Sequence, residues 1–297
     1  MSRIHEALKR AEREKGKRHA PETVDATVVA AAPPVQAPAP AAGSPLAAAL
    51  TAAVAAAPPA PPVAPQASTP SPLETCRHAH WHEDVSKLFF LSSAGHAFAT
   101  EQLRTLRSRL NQFRETKPLK SVLVTSAMPG EGKTFICANL AYAFARQHDR
   151  RVLLIDADLR TPDVHTLLGA PGDPGLSSYL RGEAGLEKIL QRGPHENLFF
   201  IPAGKPPQNP ADLVAAGKLK TLLAQVAPLF DWILLDSPAA APVSDALHIA
   251  AWCDGVLLVV QGGATPYDLA QSVTRELRKQ RLLGVVLNRT APSSALS

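Results

Sequence analysis

The sequence predicts a doubly wound α/β fold with a mostly parallel sheet, and three observations carry that reading. From about residue 95 onward, short apolar runs bounded by Gly, Pro or Asp alternate with helical stretches. One apolar run leads through a Gly-rich loop straight into an apolar helix, and two others end in Asp. In such sheets ligands bind outside the carboxyl ends of the strands, so these ends are where chemistry is expected.

The strand candidates are 121–125, 151–156, 198–201, 232–236, 255–260 and 285–287, with helices near 133–147, 211–226, 243–251 and 267–281. This domain is expected to span 95–290, followed by a short tail, 291–297. Ahead of it, residues 21–94 read as a largely disordered linker. Its first part, 21–72, holds 13 of the 28 prolines, long Ala runs and almost no charge, too little bulky apolar area to offset chain entropy. Residues 1–20 read as a basic amphipathic helix, with Ile4, Ala7, Leu8 and Ala11 on one narrow face and Ser2 able to cap its start. That head carries seven basic residues against three acidic ones, which accounts for most of the net charge of +5. The rest of the chain is close to neutral, and no nucleic-acid partner is expected.

Cys76, Cys137 and Cys253 show neither metal-ligand spacing nor a disulfide framework, and the first residues lack the apolar core of a signal peptide. A cytoplasmic protein is expected. The Ala-rich stretch 45–67 is interrupted by Pro and is not hydrophobic enough to insert, so no transmembrane span is expected.

The first chemical motif is Ser126-Ala127-Met128-Pro129-Gly130-Glu131-Gly132-Lys133-Thr134, set between a strand and the helix that begins Phe135-Ile136. Strand, Gly-rich loop and helix stand in P-loop order. The loop from Pro129 to Phe135 can bind ATP, with the backbone N–H groups of Gly130, Glu131, Gly132, Lys133, Thr134 and Phe135 cradling its phosphates, Lys133 reaching the β- and γ-phosphates and the Thr134 hydroxyl ligating Mg²⁺. A second apolar run ends in Asp156-Ala157-Asp158-Leu159-Arg160-Thr161-Pro162. Strand alternation puts both carboxylates on one side of the strand end, where one can hold Mg²⁺ and the other accept a proton from an incoming hydroxyl. A third run, Trp232-Ile233-Leu234-Leu235-Asp236, ends in a Walker B-like carboxylate for the cation.

Together these motifs resemble the bacterial tyrosine kinases, P-loop enzymes of the ParA/MinD-like superfamily tied to capsule and exopolysaccharide synthesis. The second motif looks like that family's Walker A′ element, and similarity continues through Gly175-Leu-Ser-Ser-Tyr-Leu, Ile201-Pro-Ala-Gly204, Asn209-Pro-Ala-Asp-Leu and Gly284-Val-Val-Leu-Asn288. The resemblance implies ATP-dependent phosphorylation of protein tyrosine, with Lys133, Asp156 and Asp158 catalytic and Asp156 the better candidate for proton acceptor. It assigns Thr134, Asp158 and Asp236 to the metal and places Asn288 and Arg289 near the adenine. Glu101, Arg104 and Arg107 look like the element through which these kinases assemble into rings; at spacings of three they would share a helix face. A membrane-embedded polysaccharide co-polymerase is implied as activator, recruiting the chain to the inner face of the plasma membrane.

Two other readings share the fold. A ParA/MinD-type ATPase would transfer phosphate to water, but that class depends on a second lysine near the loop start, where this chain has Met128. An ATP-gated assembly subunit of an export system would need little catalysis. The tyrosine inventory departs from the family's C-terminal cluster: the chain's tyrosines are Tyr142, Tyr179 and Tyr267. Tyr142 is expected in the core, Tyr179 in a packed turn and Tyr267 exposed at a helix start, so the substrate is expected on another protein.

Overall fold

The computed structural model describes residues 71–91, 97–241 and 244–290. Residues 1–20, most of the 21–94 segment and the tail 291–297 lie outside the described residues. Among those described, eight strands form one sheet: β1 (Arg77–His78), β2 (Ser121–Ser126), β3 (Val152–Asp156), β4 (Gln191–Arg192), β5 (Leu198–Ile201), β6 (Trp232–Asp236), β7 (Gly255–Gln261) and β8 (Leu282–Asn288). Their order is β1-β4-β5-β3-β6-β2-β7-β8, and every pairing is parallel except β4 with β5. The helices are α1 (Pro72–Thr75), α2 (Ala97–Thr116), α3 (Lys133–Ala145), α4 (Val164–Leu168), α5 (Leu176–Arg181), α6 (Leu186–Ile189), α7 (Pro210–Ala215), α8 (Lys218–Val226), α9 (Asp245–Ala250) and α10 (Tyr267–Arg278).

The period-two alternation of the strands sorts their side chains into two cores. Leu153 and Ile155 of β3, with Ile233 and Leu235 of β6, face α8 and α10, where Leu219, Leu222 and Leu277 are fully buried. Val152, Leu154, Trp232 and Leu234 face the other way, onto α2, α3 and α4. α3 is buried from Ile136 to Phe144 without a polar face, which suits a helix laid across a central sheet. There Phe144 stacks on Trp232 at a centroid distance of 4.2 Å.

Two expectations change. The linker was expected to run to residue 94, but residues 71–91 are packed against the domain. Leu88 and Trp81 are buried, Trp81 meets Phe200 edge-on, and β1 adds a strand beside β4. Asn139, itself buried in α3, staples the segment by accepting from the Phe89 N–H and donating to the Lys87 carbonyl. The helix expected over 211–226 is two helices, because Gly217 takes a left-handed turn (φ 78°) between α7 and α8. No described helix is long and apolar enough to cross a membrane.

Candidate active site

β6 lies between β3 and β2, so the three motifs meet at one end of the sheet. Asp156 is the register partner of Asp236, which in turn pairs with Val124 near the end of β2. The Gly-rich loop leaves β2, turns through left-handed Gly130 (φ 83°) and Gly132 (φ 93°), and enters α3 with no side chain capping its first N–H groups. Such an uncapped helix start offers backbone donors and a positive dipole end to an anion. At Gly130 an added Cβ would meet nothing, so this part of the loop is open to a ligand.

Lys133 projects from the start of α3 into three carboxylates. Its Nζ lies 2.9 Å from Asp158 Oδ2, 3.8 Å from Asp236 Oδ2 and 3.2 Å from the Thr134 hydroxyl. Burial works against its charge, but Asp236, Asp158 and Asp156 outweigh it and raise its pKa. Thr134 donates its hydroxyl to Asp236 Oδ2 at 2.7 Å. Asp236 is fully buried, and burial pushes its carboxyl up to about 6 against the pull of Lys133 and Thr134.

Asp156 closes β3, and Asp158 sits in the loop beyond it; both are buried. Asp156 accepts the N–H of Asp158 on one oxygen and that of Val164 on the other, each at 3.2 Å, so it shapes the loop as well as charging it. Burial and the charges of Asp236 and Asp158 hold its pKa well above the ordinary aspartate value. Asp158 also accepts from the Arg160 and Thr161 N–H groups, which fixes the carboxylate that meets Lys133.

The donors fit a hard divalent cation of the magnesium type. The oxygens of Thr134 and Asp236 are already adjacent, and the buried Asp236 Oδ1 has no hydrogen-bond partner among the described residues. Those residues contain no group of three or more His, Cys, Asp and Glu able to hold a metal unaided.

Other expected residues have different settings. Glu131 turns its side chain inward, accepting from the Met128 N–H at 2.8 Å, and is 3% exposed. Phe135 packs on Phe89. Asn288 donates to the Glu131 carbonyl at 2.8 Å, bracing the loop, and Arg289 reaches Gln261 Oε1 at 3.4 Å. Glu101 and Arg104 are exposed and paired with each other at 3.2 Å. Arg107 lies close enough to Glu101 and Arg104 to feel their charges, while its side chain turns inward to donate to the Ala143 carbonyl at 2.6 Å in the last turn of α3. Thr265, at the turn into α10, and Asp245, which holds Arg160 through two bonds of 2.7 and 3.3 Å, belong to no sequence motif and show only in the structure.

The described tyrosine hydroxyls are all engaged. Tyr142 is buried and donates to Glu83, whose carboxylate also meets His195 at 2.8 Å; burial and Glu83 together raise the phenol's pKa. Tyr179 lies in α5, as a packed position, and donates to Gln225 at 3.2 Å. Tyr267 begins α10, as expected, but is half-buried rather than exposed, with Gln271 3.4 Å from its hydroxyl.

A sheet with its strand order reversing around a phosphate-cradling loop, and a lysine, a threonine and three carboxylates at its edge, defines a P-loop nucleotide-binding protein. The CobQ/CobB/MinD/ParA nucleotide-binding domain family matches residues 122–296. Tyrosine-protein kinase YwqD of Bacillus subtilis is 37% identical over 191 residues, covering 64% of this chain and 80% of that one. Tyrosine-protein kinase ptk of Acinetobacter johnsonii is 32% identical over 199 residues, covering 66% of this chain. The match spans only 27% of ptk. The kinase domain of the Escherichia coli tyrosine kinase ETK superposes with a TM-score of 0.61 at 29% identity, over 67% of this chain and 80% of that one. The chain belongs to the bacterial tyrosine kinase family.

Proposed function

We propose that the chain transfers the γ-phosphoryl group of Mg-ATP to tyrosine on another protein, in the service of exopolysaccharide or capsule synthesis. The observation that carries this reading is the convergence of Lys133, Asp156, Asp158 and Asp236 on one crevice beside the uncapped start of α3. The P-loop N–H groups and Lys133 hold the phosphates and neutralise the charge that develops on the transferring group. Mg²⁺, held by Thr134 and Asp236 with Asp158 nearby, would supply further neutralisation of that charge. Asp156 takes the phenolic proton of the acceptor; burial and the charges of Asp236 and Asp158 raise its proton affinity above that of an ordinary aspartate. The tyrosine oxygen then attacks the γ-phosphorus in line, the bond to the β-phosphate bridging oxygen breaks, and ADP leaves.

Met128, 39% exposed, occupies the position where a partitioning ATPase would need its second lysine, which favours a tyrosine acceptor over water. The engaged hydroxyls of Tyr142, Tyr179 and Tyr267 favour an acceptor on a different protein. The exposed Glu101–Arg104 pair supports a homo-oligomer, and the family resemblance supports a membrane-embedded co-polymerase as activator and recruiter. Incubation with Mg-ATP and a tyrosine-containing acceptor tests the central reading: phosphotyrosine is expected, and release of free phosphate alone would contradict it.

A further inference from the structure

The P-loop is gripped from behind by the ends of two neighbouring strands. Glu131 lies at its apex, yet its carboxylate is buried. One oxygen accepts the Met128 N–H within the loop; the other accepts the Thr265 hydroxyl and lies 3.5 Å from the Gln261 N–H at the end of β7. The Thr265 oxygen itself accepts the Gln261 N–H at 3.1 Å, which commits its proton to Glu131. From β8, the Asn288 amide donates to the Glu131 carbonyl and stands where a Cβ on Gly132 would have to go. β7 and β8 are joined at this corner by the Gly262 N–H to Asn288 carbonyl bond of 2.8 Å.

We infer that Thr265 and Glu131 form a latch between the β7–α10 turn and the P-loop, with Thr265 a positioning residue for phosphate binding. This rests on the reading of the loop as a nucleotide site and adds a residue outside every motif. A loop that turns twice through left-handed glycines has many alternatives to its phosphate-binding shape. The latch removes those alternatives by tying both halves of the Glu131 side chain to fixed groups. A loop that holds its binding shape only part of the time binds more weakly in proportion. Because α10 starts at Tyr267, two residues beyond Thr265, the latch also couples the packing of that helix to the nucleotide site.

The test is calorimetric titration of the full chain with Mg-ADP. Thr265→Val keeps the shape but removes both hydrogen-bonding roles, and is expected to weaken binding about tenfold, whereas Thr265→Ser stays within about twofold of wild type. Glu131→Gln can keep an oxygen for the Met128 N–H but then turns an NH₂ toward Thr265 and the Gln261 N–H, so the bond donated by Thr265 is lost, and it should weaken binding comparably. The double variant should bind no worse than about the weaker single, as expected for two members of one latch. Should Thr265→Val not fold, Thr265→Ala and Glu131→Gln provide the same comparison. Wild-type affinity in these variants overturns the latch; absence of Mg-ADP binding by the wild-type chain overturns the nucleotide reading instead.

Discussion

Lys133 Nζ and Asp158 Oδ2 stand 2.9 Å apart, joining the P-loop lysine to the acidic loop after β3. Lys133 is the cation all three buried carboxylates share, so its removal leaves both the phosphates and the acids uncompensated. Lys133→Met is expected to lower phosphotyrosine formation at least about a thousandfold, the order of loss seen when a phosphate-neutralising group is taken away. Circular dichroism should show a folded chain, since the core lies beneath the site.

With Asp236 as the proposed cation ligand, cation binding is expected to depend on pH. Its carboxyl is pushed up to about 6, and a cation can bind only the deprotonated form. Affinity for nucleotide in the presence of Mg²⁺ is therefore expected to fall as pH drops through about 6 and to level off above about 7. For folding the sign is opposite: the native state holds this proton more tightly than the unfolded chain, so the group's contribution to stability declines as pH rises from about 4 to about 6. Asp236→Asn should gain thermal stability relative to wild type across that interval while losing the cation. A difference in melting temperature that does not change with pH would count against this assignment.

Arg104 and Arg107 should separate on mutation. Arg104→Glu replaces an exposed residue and is expected to change only the mass measured by light scattering, with no more than about 0.5 kcal/mol lost from the fold. Arg107→Ala releases the Ala143 carbonyl and is expected to cost about 1–3 kcal/mol in denaturant unfolding. If Arg104→Glu assembles as the wild type does, this pair has no part in the oligomer.

Tyr142→Phe tests the attachment of residues 71–91. Losing the bond to Glu83 should cost about 1–3 kcal/mol of stability and leave transfer to an external acceptor intact. Mass spectrometry after incubation with Mg-ATP is expected to find no more than trace phosphate on Tyr142, Tyr179 and Tyr267. High stoichiometry on Tyr267, abolished by Tyr267→Phe, would make the chain its own substrate.

What the sequence shows and what it hides follow from how local each signal is. The central strands are legible because three to five consecutive apolar residues, several of them ending at Asp or starting at Gly, alternate with helical stretches. Lys133, Thr134, Asp156, Asp158 and Asp236 are legible because strand ends and P-loop order fix where they go. The 71–91 segment is obscured by its Pro-rich neighbour and by strands two residues long, too short for any periodicity. The inward hydrogen bonds of Arg107 and Glu131 are hidden because their partners, Ala143 and Thr265, are distant in sequence and are supplied only by the fold.

The destination of the γ-phosphate is the most direct test of the account. The full chain, with γ-labelled ATP, Mg²⁺ and a Glu/Tyr copolymer as acceptor, is expected to place label on acceptor tyrosine, and Lys133→Met to place none. Label recovered only as inorganic phosphate, at the same rate with and without the acceptor, would contradict it.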